Sequence, residues 1–155
     1  MAFDFKDIAK TKLDEVKAVP LPPVGTYRWV ITKLPTIRDF KGNDGTEYQS
    51  MDFPIQAVAP LEDVDPSGYP GEISEIRQTL SFMFDKNDEV AFIQAQNRLK
   101  NFFEKILQCV GEDASIAEGM NASVKKQFLA PITWAPDKRD ESIMRAKLGS
   151  TAPLD

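Results

Sequence analysis

Residues 88–111, DEVAFIQAQNRLKNFFEKILQCVG, read as one long helix. Phe92, Leu99, Phe102, Phe103, Ile106, Leu107 and Val110 recur at helical spacing, and Lys100, Glu104 and Lys105 fall between them. Asn87 or Asp88 can cap the start, because a short polar side chain accepts a free N–H of the first turn. Gly111 marks the expected end. On either side of this stretch the apolar period changes from 3.6 to 2.

Three strand-like runs precede the helix. In residues 26–34, Tyr27, Trp29 and Ile31 alternate with Arg28, Val30 and Thr32. Residues 35–46 read as a turn region holding Gly42-Asn43-Asp44-Gly45, a strong hairpin signal. The second run covers about residues 47–58, with Met51, Phe53, Ile55 and Ala57 on one side and Ser50, Asp52 and Gln56 on the other. Pro54 interrupts it and lacks a ladder donor, which predicts an edge, a bulge or a sharp bend. The third run, about residues 76–84, sets Ile76, Leu80, Phe82 and Phe84 against Arg77, Thr79, Ser81 and Met83. After the long helix come a short helix over 113–120 and two more runs, about 127–134 and 142–148.

Three strands, a helix and two strands is the chain order of the OB-fold, a small barrel that binds oligonucleotides or oligosaccharides. The expected class is α+β, mainly β with helices. It takes the form of a five-stranded OB-like barrel with a long helix between the third and fourth strands. Residues 4–17 predict a further amphipathic helix, with Phe5, Ile8, Leu13 and Val16 as its stripe, followed by a stiff connector containing Pro20, Pro22 and Pro23. The expected organisation is an N-terminal helix and arm over 1–24, one domain over 25–149 and a loose tail over 150–155.

Composition narrows the function. The single cysteine, Cys109, precludes an internal disulfide and reads as a buried thiol on the helix. The absence of histidine removes Ser–His and Cys–His nucleophile pairs and the commonest transition-metal ligand. Gly42-Asn43-Asp44-Gly45 lacks the Lys-Ser/Thr that completes a phosphate loop. Glu62, Asp63 and Asp65 lack the Ca²⁺-loop spacing, so a solvated loop is the plainer reading. The expectation is a protein that is not an enzyme and needs no cofactor or metal. No apolar run nears the roughly 20 residues that span a bilayer, and no apolar signal core opens the chain. A cytoplasmic location without membrane partners follows as an expectation.

The net charge of −5 opposes a globally basic field. Its placement matters more than its sum. Residues 60–75 hold Glu62, Asp63, Asp65, Glu72 and Glu75 and no basic residue, so the remainder of the chain is neutral in sum. A locally basic face is therefore open. In an OB barrel the ligand lies across the middle strands, between the first–second and fourth–fifth loops. Arg38, Phe40 and Lys41 fall in the first of these loops and Lys138 and Arg139 in the second, while Arg28, Arg77, Arg145 and Lys147 occupy outward strand positions. Cations hold phosphates, and aromatic rings give bases a stacking platform. Tyr27, Trp29, Phe40 and Tyr48 are the candidate rings. The plainer reading stands beside each: exterior cations are ordinarily solvated, and Tyr27, Trp29 and Trp134 also fit core alternations. Phe40, between Asp39 and Lys41, has less structural reason to be there.

The chain resembles bacteriophage single-stranded-DNA-binding proteins of OB type. The resemblance rests on Pro23-Val24-Gly25-Thr26-Tyr27 before the first strand and Lys41-Gly42-Asn43-Asp44-Gly45-Thr46-Glu47-Tyr48 before the second. It continues through the helix after Ser81-Phe82-Met83-Phe84 and the short helix leading into Lys126-Gln127-Phe128-Leu129. It implies sequence-independent binding of displaced single strands in DNA replication or recombination, in the host cytoplasm. The partners it implies are single-stranded DNA, further copies as a homo-oligomer, and replication or recombination enzymes. Many such proteins end in a strongly acidic tail; Thr151-Ala152-Pro153-Leu154-Asp155 does not, which puts tail-mediated recruitment in doubt. The alternative is a virion structural or decoration subunit without nucleic-acid binding, for which the proline-rich arm would reach a neighbour.

Overall fold

Strand β1, Gly25–Ile31, sits at the centre of the molecule because its alternate residues Tyr27, Trp29 and Ile31 are fully buried. The computed structural model describes residues 20–154, together with Leu13; the helix expected over 4–17 lies outside the described residues. β1 runs antiparallel to β3, Glu47–Pro60, on one edge and to β5, Gln127–Pro136, on the other. A bulge between Arg28 and Trp29 shifts the β1–β3 register and adds local twist.

The first departure from expectation follows Ile31. The strand expected to reach residue 34 stops there, and β2 forms over Thr36–Lys41, inside the predicted turn region. β2 pairs with the same edge of β3 that β1 uses, from Thr36↔Asp52 to Lys41↔Glu47. Pro54 explains the hand-over. Its carbonyl accepts from the Thr32 N–H at 3.0 Å, so the donor it lacks faces the gap between β1 and β2, where no ladder partner waits. The true turn narrows to residues 42–46. Gly42 N–H donates to Thr46 O at 2.9 Å, Asp44 Oδ1 takes the Thr46 N–H at 3.0 Å, and Gly45 adopts φ +83°, a conformation that suits glycine.

β4, Arg77–Asp85, covers the other edge of β3 from Gln56↔Arg77 to Tyr48↔Asp85. β6, Met144–Leu148, covers the free edge of β5. The loose tail expected after residue 149 is instead tied to β5, through Gly149 N–H to Pro131 O and a paired bridge between Leu129 and Ala152, all at 2.8 Å. The product is one six-stranded antiparallel sheet in an α+β molecule. No ladder joins β4 to β6 among the described residues, so the sheet is open and not the closed five-stranded barrel expected. A cleft of about 660 Å³ occupies the seam, with Arg77 and Gln78 on one side, Met144, Arg145 and Ala146 on the other, and Pro20, Leu21 and Pro22 along it.

Helix α1, Glu89–Asn101, follows β4 and is capped by Asp88, whose Oδ1 accepts the Ala91 N–H at 3.1 Å. It ends earlier than its periodicity predicts. A π-helical turn spans Phe102–Ile106, closed by Leu107 N–H to Phe102 O at 2.8 Å, and Gln108 at φ 53° terminates the element. Phe102 and Phe103 are adjacent yet both buried. Neighbouring helical positions point about 100° apart, and the wider turn lets both rings enter the core. Phe53 meets Phe82, Phe102 and Phe103 edge-on at 5.4–6.0 Å, and Phe102 meets Phe128 at 5.5 Å. Helix α2, Ile116–Ser123, begins at Ser115, whose Oγ accepts the Glu118 N–H at 3.1 Å, and it presses Gly119 against the Phe103 ring.

Candidate nucleic-acid interface

Pairing across β2, β3 and β4 decides which side chains share the face away from the core. Phe40 lies opposite Tyr48, Arg38 opposite Ser50 and Thr36 opposite Asp52. On the other side Met83 lies opposite Ser50, Ser81 opposite Asp52 and Arg77 opposite Gln56. Paired residues point the same way, so this face carries aromatic, hydroxyl, carboxylate and guanidinium groups side by side.

Its centre is a layered cluster. The Phe40 and Tyr48 rings stack at 5.4 Å with planes 22° apart, and the Arg38 guanidinium carbon lies 4.5 Å from the Phe40 centroid. Arg38 Nε donates to Asp52 Oδ2 at 2.5 Å, while the other Asp52 oxygen accepts from Ser50 Oγ at 2.6 Å and Ser81 Oγ at 2.7 Å. Burial opposes ionisation of Asp52. The Ser50 and Ser81 hydroxyls and Arg38 outweigh it and hold the carboxyl below the usual carboxylate range. Beside the rings a depression of about 270 Å³ is lined by Asp39, Lys41, Glu47 and Lys86 as well as Phe40 and Tyr48. Lys86 Nζ lies 3.1 Å from Asp39 Oδ1; its hydrogen bond holds Asp39 low in pKa.

Arg38, Phe40 and Tyr48 thus come together on one face, and Phe40 proves to be a strand residue rather than a loop residue. Lys41, whose pairing with Glu47 alternates to the other side of the hairpin, shares only the depression with the rings. The rest disperse. Arg77 shares the outer face but sits at the opposite end of β4. Arg28 is exposed on β1, opposite Ala59 and Leu129. Arg145 and Lys147 lie on β6, opposite Ala135 and Thr133, and Arg145 is ion-paired with Asp137. Lys138 and Arg139 are exposed on the β5–β6 turn, which leaves the sheet at the end where β1 begins, whereas Lys41 is at the end where β3 begins. Trp29 is a correction. It is 0% exposed and its indole N–H donates to Ala130 O at 3.0 Å, so no face is left for a base. Tyr27 is equally buried, its hydroxyl donating to Pro23 O at 2.6 Å. Trp134 is half-exposed at the sheet's end and donates to Pro22 O at 2.7 Å.

Sequence reasoning missed Lys86, Ser81 and the central part played by Asp52. Strand register brings Ser81 to Asp52 and so beside Arg38, and Lys86 follows β4 to reach Asp39 at the hairpin; no local pattern encodes either. The acidic segment also resolves into structure. Both Asp63 oxygens accept the Thr26 N–H at 3.0 Å, and Asp65 accepts the Ser67 N–H at 3.0 Å. Asp63 thus ties the segment to the start of β1, and Asp65 braces a turn. Among the described residues no group of three or more metal-ligating side chains is placed to hold an ion, and no helix is long and apolar enough to cross a membrane. No protein-family model matches the chain, and no curated protein matches it.

Proposed function

We propose that this protein binds single-stranded DNA without sequence preference, as a non-enzymatic component of phage-type DNA replication or recombination in the host cytoplasm. The observation that carries the reading is the Phe40–Tyr48 stack on the polar face of the β2–β3 hairpin, with Arg38 over one ring and Lys41 and Lys86 at the rim. A ring pair of this kind accepts any base by its π-face, and flanking cations hold the backbone.

The architecture supports it at one remove. If β1 and β2 are taken as one interrupted first strand, the pairings β1–β3, β3–β4, β1–β5 and β5–β6, with α1 following β4, support an OB-like reading of the open sheet. OB barrels are partly open and bind ligand on the second and third strands. Those strands here are β3 and β4, which contribute Tyr48, Ser50, Asp52 and Ser81 to the cluster, while Arg38 and Phe40 come from β2 beside them. Further copies and replication or recombination enzymes are the proposed partners.

A mobility shift with labelled oligo-dT at 50 and 200 mM salt tests the proposal. Three to five phosphate contacts at a slope of about 0.7 each predict roughly twentyfold to hundredfold weaker binding at the higher salt. A folded protein that retards no oligonucleotide at the lower salt contradicts it. A second reading, a virion subunit, is favoured by exposed Ile37 and Phe92 lining an apolar groove of about 250 Å³ between α1 and β2. Co-purification with particles and indifference to oligonucleotides would select it.

A further inference from the structure

The Arg38 side chain is tethered by one nitrogen. Nε is bonded to Asp52, and neither Nη makes a hydrogen bond to any described residue. A guanidinium carries five N–H donors in a rigid plane, so four remain unspent on a side chain that is 54% exposed. Its plane is further constrained by Phe40 beneath it. Asp52, in contrast, is only 13% exposed and its second oxygen is occupied by two hydroxyls, so it does not present a bare carboxylate to a ligand. Most exposed arginines lose considerable side-chain freedom when they engage an anion. Arg38 has already lost much of it.

We propose that Arg38 is the anchor for one backbone phosphate of the bound strand, its Nη groups aimed outward by Asp52 and Phe40, which act as positioning residues. This rests on the single-stranded-DNA reading and assigns its first phosphate contact. The fork geometry of a guanidinium matches two phosphate oxygens, which an ammonium cannot do. A phosphate at Arg38 leaves the attached base within reach of the neighbouring ring pair. Lys41 and Lys86 then serve as unforked charges along the rim.

Removing Arg38 alone would bare Asp52 and weaken DNA binding by repulsion, whether or not a phosphate sits there. The decisive variant is therefore the double substitution Arg38→Gln with Asp52→Asn, which keeps the pair polar and the net charge constant. Binding of oligo-dT to the full chain is measured across a salt series, with thermal melts confirming the fold, alongside Arg38→Lys. The double variant is expected to bind on the order of tenfold more weakly. The slope of log K against log salt should become shallower by about 0.7, the value of one single-strand phosphate. Arg38→Lys should keep the slope and still bind more weakly than the unmodified protein. If the double variant retains both affinity and slope, Arg38 and Asp52 are a structural ion pair and the inference fails while the function stands. If the unmodified protein binds no oligo-dT, the function itself fails.

Discussion

Asp52 shows how one residue can serve both the fold and a surface. Its carboxylate satisfies Ser50, whose side chain is on a nearly fully buried residue, and Ser81, and it fastens Arg38. Asp52→Ala leaves the Ser50 hydroxyl without its acceptor, which costs about 1–3 kcal/mol. Urea unfolding is expected to show that loss, and a variant as stable as the unmodified protein would contradict it. The pH dependence has a definite sign. Because the folded carboxyl titrates below its ordinary value, its contribution is complete above about pH 4, the unfolded range, and is lost as pH falls through the folded pKa. The Ala variant should therefore lose less stability on acidification than the unmodified protein. At this scale the sequence was legible in part. Phe40 stands out as an aromatic between charged residues although its strand is not foreseen, and Trp29 reads both as a candidate ring and as a core residue, the second of which the structure shows. Both sides of β1 carry bulky residues, and only the packing of β3 and β5 decides which side is buried.

At the scale of elements, hairpin chemistry and helix capping were readable because they are local. Gly42-Asn43-Asp44-Gly45 lies in a tight turn, and Asp88 caps α1. β2 was not readable, because Thr36–Lys41 is mostly exposed and gains its strand character from the edge of β3. The π-turn escaped for a related reason. The pair Phe102-Phe103 fits an ordinary helix until the core demands both rings at once. Helix α2 depends on the same pair. A Cβ on Gly119 would lie 2.4 Å from Phe103 Cδ2, so Gly119→Ala forces the ring or the helix to move. The expected cost is about 1–3 kcal/mol of stability, read by thermal melting, with oligo-dT affinity unchanged at a temperature where the variant is folded. Unchanged melting would mean that α2 is free to back away from Phe103.

At the scale of the whole molecule, strand order was largely legible from alternating periods, and closure was not. Whether β4 meets β6 depends on sheet curvature and on the arm at Pro20, Leu21 and Pro22 that lies in the seam. The same limit applies to the interface. The cations and rings read from the sequence as one trough are spread by the register over several strands and both ends of the sheet, and only the β2–β3 hairpin unites rings with cations. The central claim is thus that unpaired DNA lies on this hairpin. Ultraviolet cross-linking of oligo-dT to the full chain, with the attached peptide located by mass spectrometry, tests it most directly. The account predicts adducts on the peptide containing Phe40 and Tyr48. Adducts confined to the β5–β6 turn around Lys138 and Arg139, with the hairpin unmodified, would contradict it.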